Sequence, residues 1–409
     1  VGRAQLMLQT RDPLDGYRAQ PKARLKTISA PTGGWNTRAA LNEMSPLDAV
    51  VLDNFFPTVG AVKLRKGMAS HATGVGAGAV ETLLEFSSAG TRHLIAAGGG
   101  ALYNASSAGA ATSLASGFAN NRWQGVMFNT KLHLLNGADD PRSYDGTTIA
   151  TPAWSGSGLT PANLDGVMVF KSRLFFWDTS TADFWYGGVD AVTGTLTKFP
   201  LSMLGRFGGT IMFMGSFSQT GQTQMNELLA IVMTSGEVIV YQGTDPGVAA
   251  DWALVGVYKI GAPFAIRGIL KVAGDLLILT KDDWVSLNRV LEKDRTGKDQ
   301  VSKISGAAQS AALNYASNFG WAICHYPRSN MILINVPVSS TRYDQHVLNT
   351  TTGAWCRFTG WNGSSFCTYN DELYFGGAGG IVYKADTGTS DNNANISAEA
   401  QTAWNHFGI

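Results

Sequence analysis

Only 3 of the 409 residues are cysteine, and Cys324, Cys356 and Cys367 are too few and too scattered for a disulfide framework. Each lies in a strand-like run, so all three read as buried thiols, consistent with folding in a reducing cytoplasm. Charged residues are scarce at 15%, which does not fit a long helical protein. No window reaches the roughly 18 uninterrupted apolar residues of a membrane span, so no membrane insertion by this chain is expected. The opening Val1-Gly2-Arg3-Ala4 has neither the apolar core of a signal peptide nor an initiator Met, so residues before Val1 are expected to have been removed or left out.

Recognisable catalytic chemistry is also missing. The six histidines, at 71, 93, 133, 325, 346 and 406, form no His-Glu-x-x-His, and no Cys or His pair stands at metal-ligand spacing. There is no Gly-x-Ser-x-Gly nucleophile elbow and no phosphate-binding Gly-x-x-x-x-Gly-Lys-Ser/Thr; Gly297-Lys298 runs into Asp299, which would repel phosphate. Ser143-Tyr144-Asp145-Gly146 approaches the Ser-x-Asp-x-Gly turn of sialidase-like propellers, with the Gly one place early. The acidic pairs Asp139–Asp140, Asp282–Asp283 and Asp371–Glu372 fall at turns, where solvated carboxylates are ordinary, and a glycosidase needs two that face each other. Sequons at Asn104, Asn349, Asn362 and Asn395 need a secretory route for which nothing else argues. The expectation is a non-enzyme with no catalytic residues, no cofactor and no metal.

What the chain has in quantity is glycine, 48 residues, and aromatics, 10%, the composition of many short strands and turns with large plugs between sheets. The organising stretch is 166–199, GVMVFKSRLFFWDTSTADFWYGGVDAVTGTLTKF, in which apolar runs of four to six are each closed by a polar or Thr-Gly turn. The unit recurs at 125–146 and, more weakly, from Glu81, Asn226, Gly268, Gly320 and Phe366. The turn pairs between the strands are Lys-Ser, Ser-Gly, Gly-Asp, Ser-Asn and Asn-Asp. A second signature aligns Asp190-AVTGTLTKF with Asn349-TTTGAWCRF, a side chain bonding its own backbone, then Gly, then a large plug. Seven copies at a mean spacing of about 47 residues predict an all-β fold, a β-propeller of about seven blades with six to eight possible. One or two β-sandwiches with similar hairpins are the alternative.

Around this body the chain divides. Residues 1–30 lack periodicity and carry Arg3, Arg11, Arg18, Lys22, Arg24 and Lys26 against two acids, an extended basic arm and the candidate for subunit or partner contacts. The remainder has 25 basic against 28 acidic residues, a poor general binder of a phosphate backbone. Residues 31–79 read as a helix-plus-strand docking segment, with a short helix started by Ser45-Pro46-Leu47-Asp48 and stopped before Pro57. The propeller body spans 80–390, interrupted by a charged loop at 292–303 and an Ala-rich helix at about 306–317. Residues 391–409 alternate as a closing strand that completes the blade begun by N-terminal chain.

Two segments resemble a known family. Gly33-Gly34-Trp35-Asn36, Ser45-Pro46 with Asp48, Asp53-Asn54 with Pro57, and a strand ending at Gly67 are similar to the N-terminal part of the tail nozzle proteins of short-tailed bacteriophages, the tail tubular B or packaged-DNA stabilisation type. Lys303-Ile304, Gly320-Trp321, Tyr326-Pro327, Asn330 and Asn335-Val336-Pro337 resemble a second pattern of that family. Trp321, Pro327, Asn335 and Pro337 join the first group as family-motif residues of structural type. The resemblance implies a virion tail protein, synthesised in the host cytoplasm, that forms a homohexameric ring below the tail adaptor. Tail fibres or spikes attach to that ring, and genomic DNA passes through its lumen without specific binding. The alternatives are a glycan-binding or glycan-degrading propeller and a cytosolic interaction scaffold.

Overall fold

The computed structural model describes residues 28–201, 206–220, 225–292 and 302–404. Each of the seven repeats falls in its own sheet. The inner strands, one per sheet, are Thr82–Ser88, Gln124–Phe128, Gly166–Phe170, Ile211–Thr220, Ile269–Val272, Ala322–Tyr326 and Ser365–Tyr369. Each packs on the next, and the last packs back on the first, so the sheets close into a ring. From each inner strand the chain runs outward through antiparallel hairpins, through four strands in most blades and three in the fifth. The protein is an all-β, seven-bladed propeller.

The hairpins arise from turn chemistry. In blades one, two, three, five and seven the first turn has two residues with positive φ: Ala89–Gly90, Asn129–Thr130, Lys171–Ser172, Ala273–Gly274 and Asn370–Asp371. That is the turn whose twist matches the strands it joins. The expected Gly-Asp turn therefore sits one residue early, because Asp275 already pairs with Val272. Blade six instead uses a single 3-10 turn, Pro327–Ser329, closed by Asn330 at φ 53°. Aromatic side chains fill the gaps between blades; between blades three and four, Phe175 and Tyr241 both stack on Trp252.

Several expectations need correction. The copy starting at Asn226 is the second and third strands of blade four; its inner strand, Ile211–Thr220, precedes it, with Ile211, Phe213 and Phe217 buried. The residues around Ser45 form no helix. Asp48 N bonds Ser45 O at 2.9 Å to make a turn, and Asp48–Asp53 is a strand. A helix this short closes few backbone bonds, whereas Val50 and Val51 suit an extended chain that finds partners on both sides. The closing strand is also not the C-terminal one. Met68–Thr73, inside the 31–79 segment, pairs with Val382–Ala385 and completes blade seven with Ala72 fully buried. Glu399–Thr402 is a strand, but it pairs with Asp48–Asp53 beside blade six and is mostly exposed. The propeller body thus begins at Met68, not at residue 80.

The Ala-rich helix is present as Ser305–Tyr315. Both Thr-Gly turns lead into the outer strand of their blade, with Leu196 and Trp355 buried as the plugs. Their local chemistry differs: Asn349 accepts from Thr351 N at 2.8 Å, while Asp190 turns the chain through φ 56°. All three cysteines lie in strands as free thiols, and burial pushes the Cys324 thiol up to about 11.

Candidate functional site

Two places gather side chains with more than packing to do: the edge of blade six, where the N-terminal segment docks, and the mouth of the propeller axis.

At the first, Gly34–Trp35 lies parallel to Asp48–Asp53, which meets the outer strand Trp355–Phe358 through Asp53 and Arg357. Gly33 and Gly34 are required by proximity. A Cβ on Gly33 would stand 2.2 Å from Asp48 Oδ1, and one on Gly34, at φ 86°, 2.6 Å from Trp355 O. Trp35 is buried, donates Nε1 to Val50 O at 3.0 Å and meets His346 edge-on at 5.1 Å. Asn36 donates to Asp48 Oδ2 at 2.8 Å, and Lys303 donates to Asp48 Oδ1 at 2.9 Å, so one buried carboxylate ties both resemblance segments together. Asp53 accepts both arms of the Arg357 guanidinium, at 2.8 and 2.5 Å.

Asn54, at φ 59°, donates to Thr359 Oγ1 and Ser397 O and accepts from Arg65 Nε at 2.7 Å. Arg65 is enclosed: it forks Asp391 at 2.8 and 2.6 Å, donates to Thr359 O and Lys66 O, and lies 5.0 Å from the Trp361 ring centre. Gly67 has no room for a side chain, since its Cβ would fall 1.9 Å from Ser390 O. Pro57 O accepts from Asn349 Nδ2 at 2.9 Å, and Ser45 with the exposed Pro46 forms the turn before Asp48. Asn335, buried in the second strand of blade six, donates to Gly320 O and Gly363 O and accepts from Gln345 Nε2 at 2.9 Å. Trp321 is buried and donates to Tyr315 O, Pro327 opens the 3-10 turn, and Pro337 ends its strand opposite Tyr343. Every family-motif residue except Gly67, which abuts Ser390 beyond blade seven, therefore sits in or against blade six and its docked segment. Arg3, Arg11, Arg18, Lys22, Arg24 and Lys26 lie outside the described residues.

The second place is at the starts of the inner strands. Arg267 leaves blade five and crosses the axis, donating to Glu81 O at 2.7 Å, Thr82 Oγ1 at 2.7 Å and Trp123 O at 3.0 Å on blades one and two. These blades are not its neighbours in the ring, so the guanidinium ties blade five to blades one and two across it. Burial lowers Arg267 to about 10, and it stays charged at neutral pH. The Phe319 ring lies under two guanidinium groups, Arg122 at 4.2 Å and Arg267 at 5.4 Å. Beside them opens a cavity of about 360 Å³, whose one lining carboxylate is Asp165. Asp165 accepts from Thr179 Oγ1 at 2.5 Å, and burial pushes it up to about 6.

Among the described residues no three His, Cys, Asp or Glu side chains come together as a metal site, and no helix is long and apolar enough to cross a membrane. Of the acidic turn pairs, Asp283 is not solvated as expected: it is buried, and Ser302 donates to it through N at 2.7 Å and Oγ at 3.0 Å. Arg65 stood only in the resembling strand that ends at Gly67, with no role read for it, and Arg122 and Arg267 were not singled out by sequence. Their partners are carbonyls, a ring and a carboxylate far along the chain, which no local spacing announces.

No family model matches the chain, and no curated protein matches it. Solved structures similar to it include BBS1N in complex with ARL6DN, at 9% identity and TM-score 0.47, covering 80% of this chain and 100% of that one. PorZ, a surface component of the type-IX secretion system of Porphyromonas gingivalis, is 10% identical at TM-score 0.45, over 82% of this chain and 39% of its own. Chaetomium thermophilum Raptor is 9% identical at TM-score 0.47, over 79% and 30%. At this distance the likenesses carry no argument about function.

Proposed function

We propose that the chain is a structural virion protein that forms the distal nozzle ring of a short phage tail, through which the genome exits, and a platform for tail fibres or spikes. One observation supports this reading above the others. The two segments with the nozzle-family resemblance, remote in sequence, join on blade six: Lys303 bonds both Asp48 and Gly33 O, Thr37 N bonds Lys303 O, and Ala307 N bonds Thr37 Oγ1. The N-terminal motif residues from Gly33 to Pro57 thus seat that segment on the blade's outer edge, while Trp321, Pro327, Asn335 and Pro337 brace blade six itself. Around that seat Leu41, Leu47, Val59, Leu64 and Leu313 are exposed, with Val59 at 79%, an apolar fringe suited to contacts between subunits. Because one side chain, Arg267, reaches from blade five to blades one and two, the centre of the propeller is too narrow for a duplex, and a DNA conduit on this reading lies between subunits.

The experiment is the native mass of the purified chain, alone and with the tail adaptor protein, read beside negative-stain images. A six-membered ring, alone or on the adaptor, is expected. Charge substitution at Val59 and Leu64 is expected to dissolve it without unfolding the subunit. A strict monomer that ignores the adaptor would overturn the reading.

A further inference from the structure

The cavity at the axial mouth is not accounted for by ring formation. Its volume, about 360 Å³, lies at the lower end of the roughly 300–1,000 Å³ of small-molecule sites. Four features of its wall bear on what it takes. Arg122 is held from behind, its guanidinium over the Phe319 ring and its Nε 3.5 Å from Glu81 Oε1. Its two terminal nitrogens make no hydrogen bond among the described residues, so a pre-oriented fork is left over, the geometry that matches a carboxylate in two parallel bonds. The Gln124 side-chain amide is likewise uncommitted, offering one donor pair and one acceptor. Asp165 adds a carboxyl already positioned by Thr179, and Phe264 with Trp321 adds apolar surface.

A fork for an anion, amide and carboxyl groups for hydroxyls, and aromatic faces for the apolar side of a ring belong to one kind of ligand. We propose that this cavity binds a carboxylated sugar, its carboxylate on Arg122 and its hydroxyls on Gln124 and Asp165. With one lining carboxylate the site lacks the facing pair that glycoside hydrolysis uses, so the assignment is binding and not cleavage. It is independent of the nozzle reading, since a monomer carries the whole cavity.

The test is calorimetric titration of the full chain with D-galacturonate and D-glucuronate, against D-galactose, D-glucose and acetate. At least one uronate is expected to bind at least about tenfold more tightly than its neutral counterpart and than acetate. Arg122→Gln is expected to weaken uronate binding roughly ten- to a hundredfold, the range for removing charge-assisted bonds. Arg122→Lys, which keeps the charge and loses the fork, should fail to restore it. Arg122 is exposed, so both variants should fold, and circular dichroism checks this. Absence of uronate binding, equal binding of the neutral sugar, or an unchanged Arg122→Gln affinity would overturn the proposal. Acetate binding as tightly as a uronate would overturn the sugar assignment and leave a bare anion site.

Discussion

Arg65→Ala should destabilise the fold by about 3–5 kcal/mol, the range for removing one partner of a buried ion pair. Arg65 is only 3% exposed and joins Asn54 on its own hairpin to two stretches remote in sequence, Thr359 at the end of blade six and Asp391 after blade seven. Truncation would strand Asp391, leave the Asn54 and Thr359 oxygens short of donors, and remove a cation from the Trp361 ring. The strand that closes the ring starts three residues later at Met68, so the loss should be felt as opening of the closure between blades six and seven. Arg65→Lys should recover little, since an ammonium cannot fork Asp391 while reaching Asn54. Urea denaturation followed by tryptophan emission reads both variants. A shift equivalent to less than about 1 kcal/mol in Arg65→Ala would show that the network is not a structural joint.

Stability should also fall as pH drops from about 6.5 to 4.5, with a slope set by histidine. His346 is buried, and burial first, then the charge of Arg357, lowers it to about 3. His133 is lowered to about 4 by burial and by Lys131. A histidine whose folded value lies below its unfolded value near 6.5 binds more protons when unfolded. Its contribution is complete above pH 6.5 and lost as pH falls, by about 1.4 kcal/mol per pH unit for each group. Asp165 works the other way: raised to about 6, it takes up its proton earlier in the folded state, so its neutral form stabilises the fold as pH falls below 6. The two strongly lowered histidines against the strongly raised Asp165 leave a net loss of about 3 kcal/mol between pH 6 and 4, to which the smaller shifts of His325 (lowered) and of Glu85 and Asp283 (raised) add with opposite signs. His346→Gln should flatten the slope by one proton whatever its effect on stability at pH 7. A variant with the wild-type slope would show that His346 is not held neutral by the fold.

The family-motif residues were legible as residues but not as a site. Gly33, Trp35, Asn36, Asp48 and Asn335 stand out by resemblance, yet what each does depends on groups such as Lys303, Arg357 and Gln345 that arrive from other turns of the chain. The misread helix shows the same dependence. Ser45-Pro46-Leu47-Asp48 satisfies the local rules for a helix start, and the outcome was set by two strands, Gly34–Trp35 and Glu399–Thr402, that pair with Asp48–Asp53. The cavity left no local trace: Arg122, Asp165 and Phe319 belong to different parts of the ring.

By itself, then, the sequence determined most of the hairpins and their plugs, and a blade number of about seven. Those depend on contacts between neighbours in the chain: a two-residue turn with positive φ and apolar residues on either side of it. Only the tertiary structure decided which strand closes the ring, where the ends dock, and that Arg267 spans the axis. These are pairings between remote groups, some more than 300 residues apart, such as Arg65 with Asp391, and they exist only once seven separately legible sheets have closed on one another.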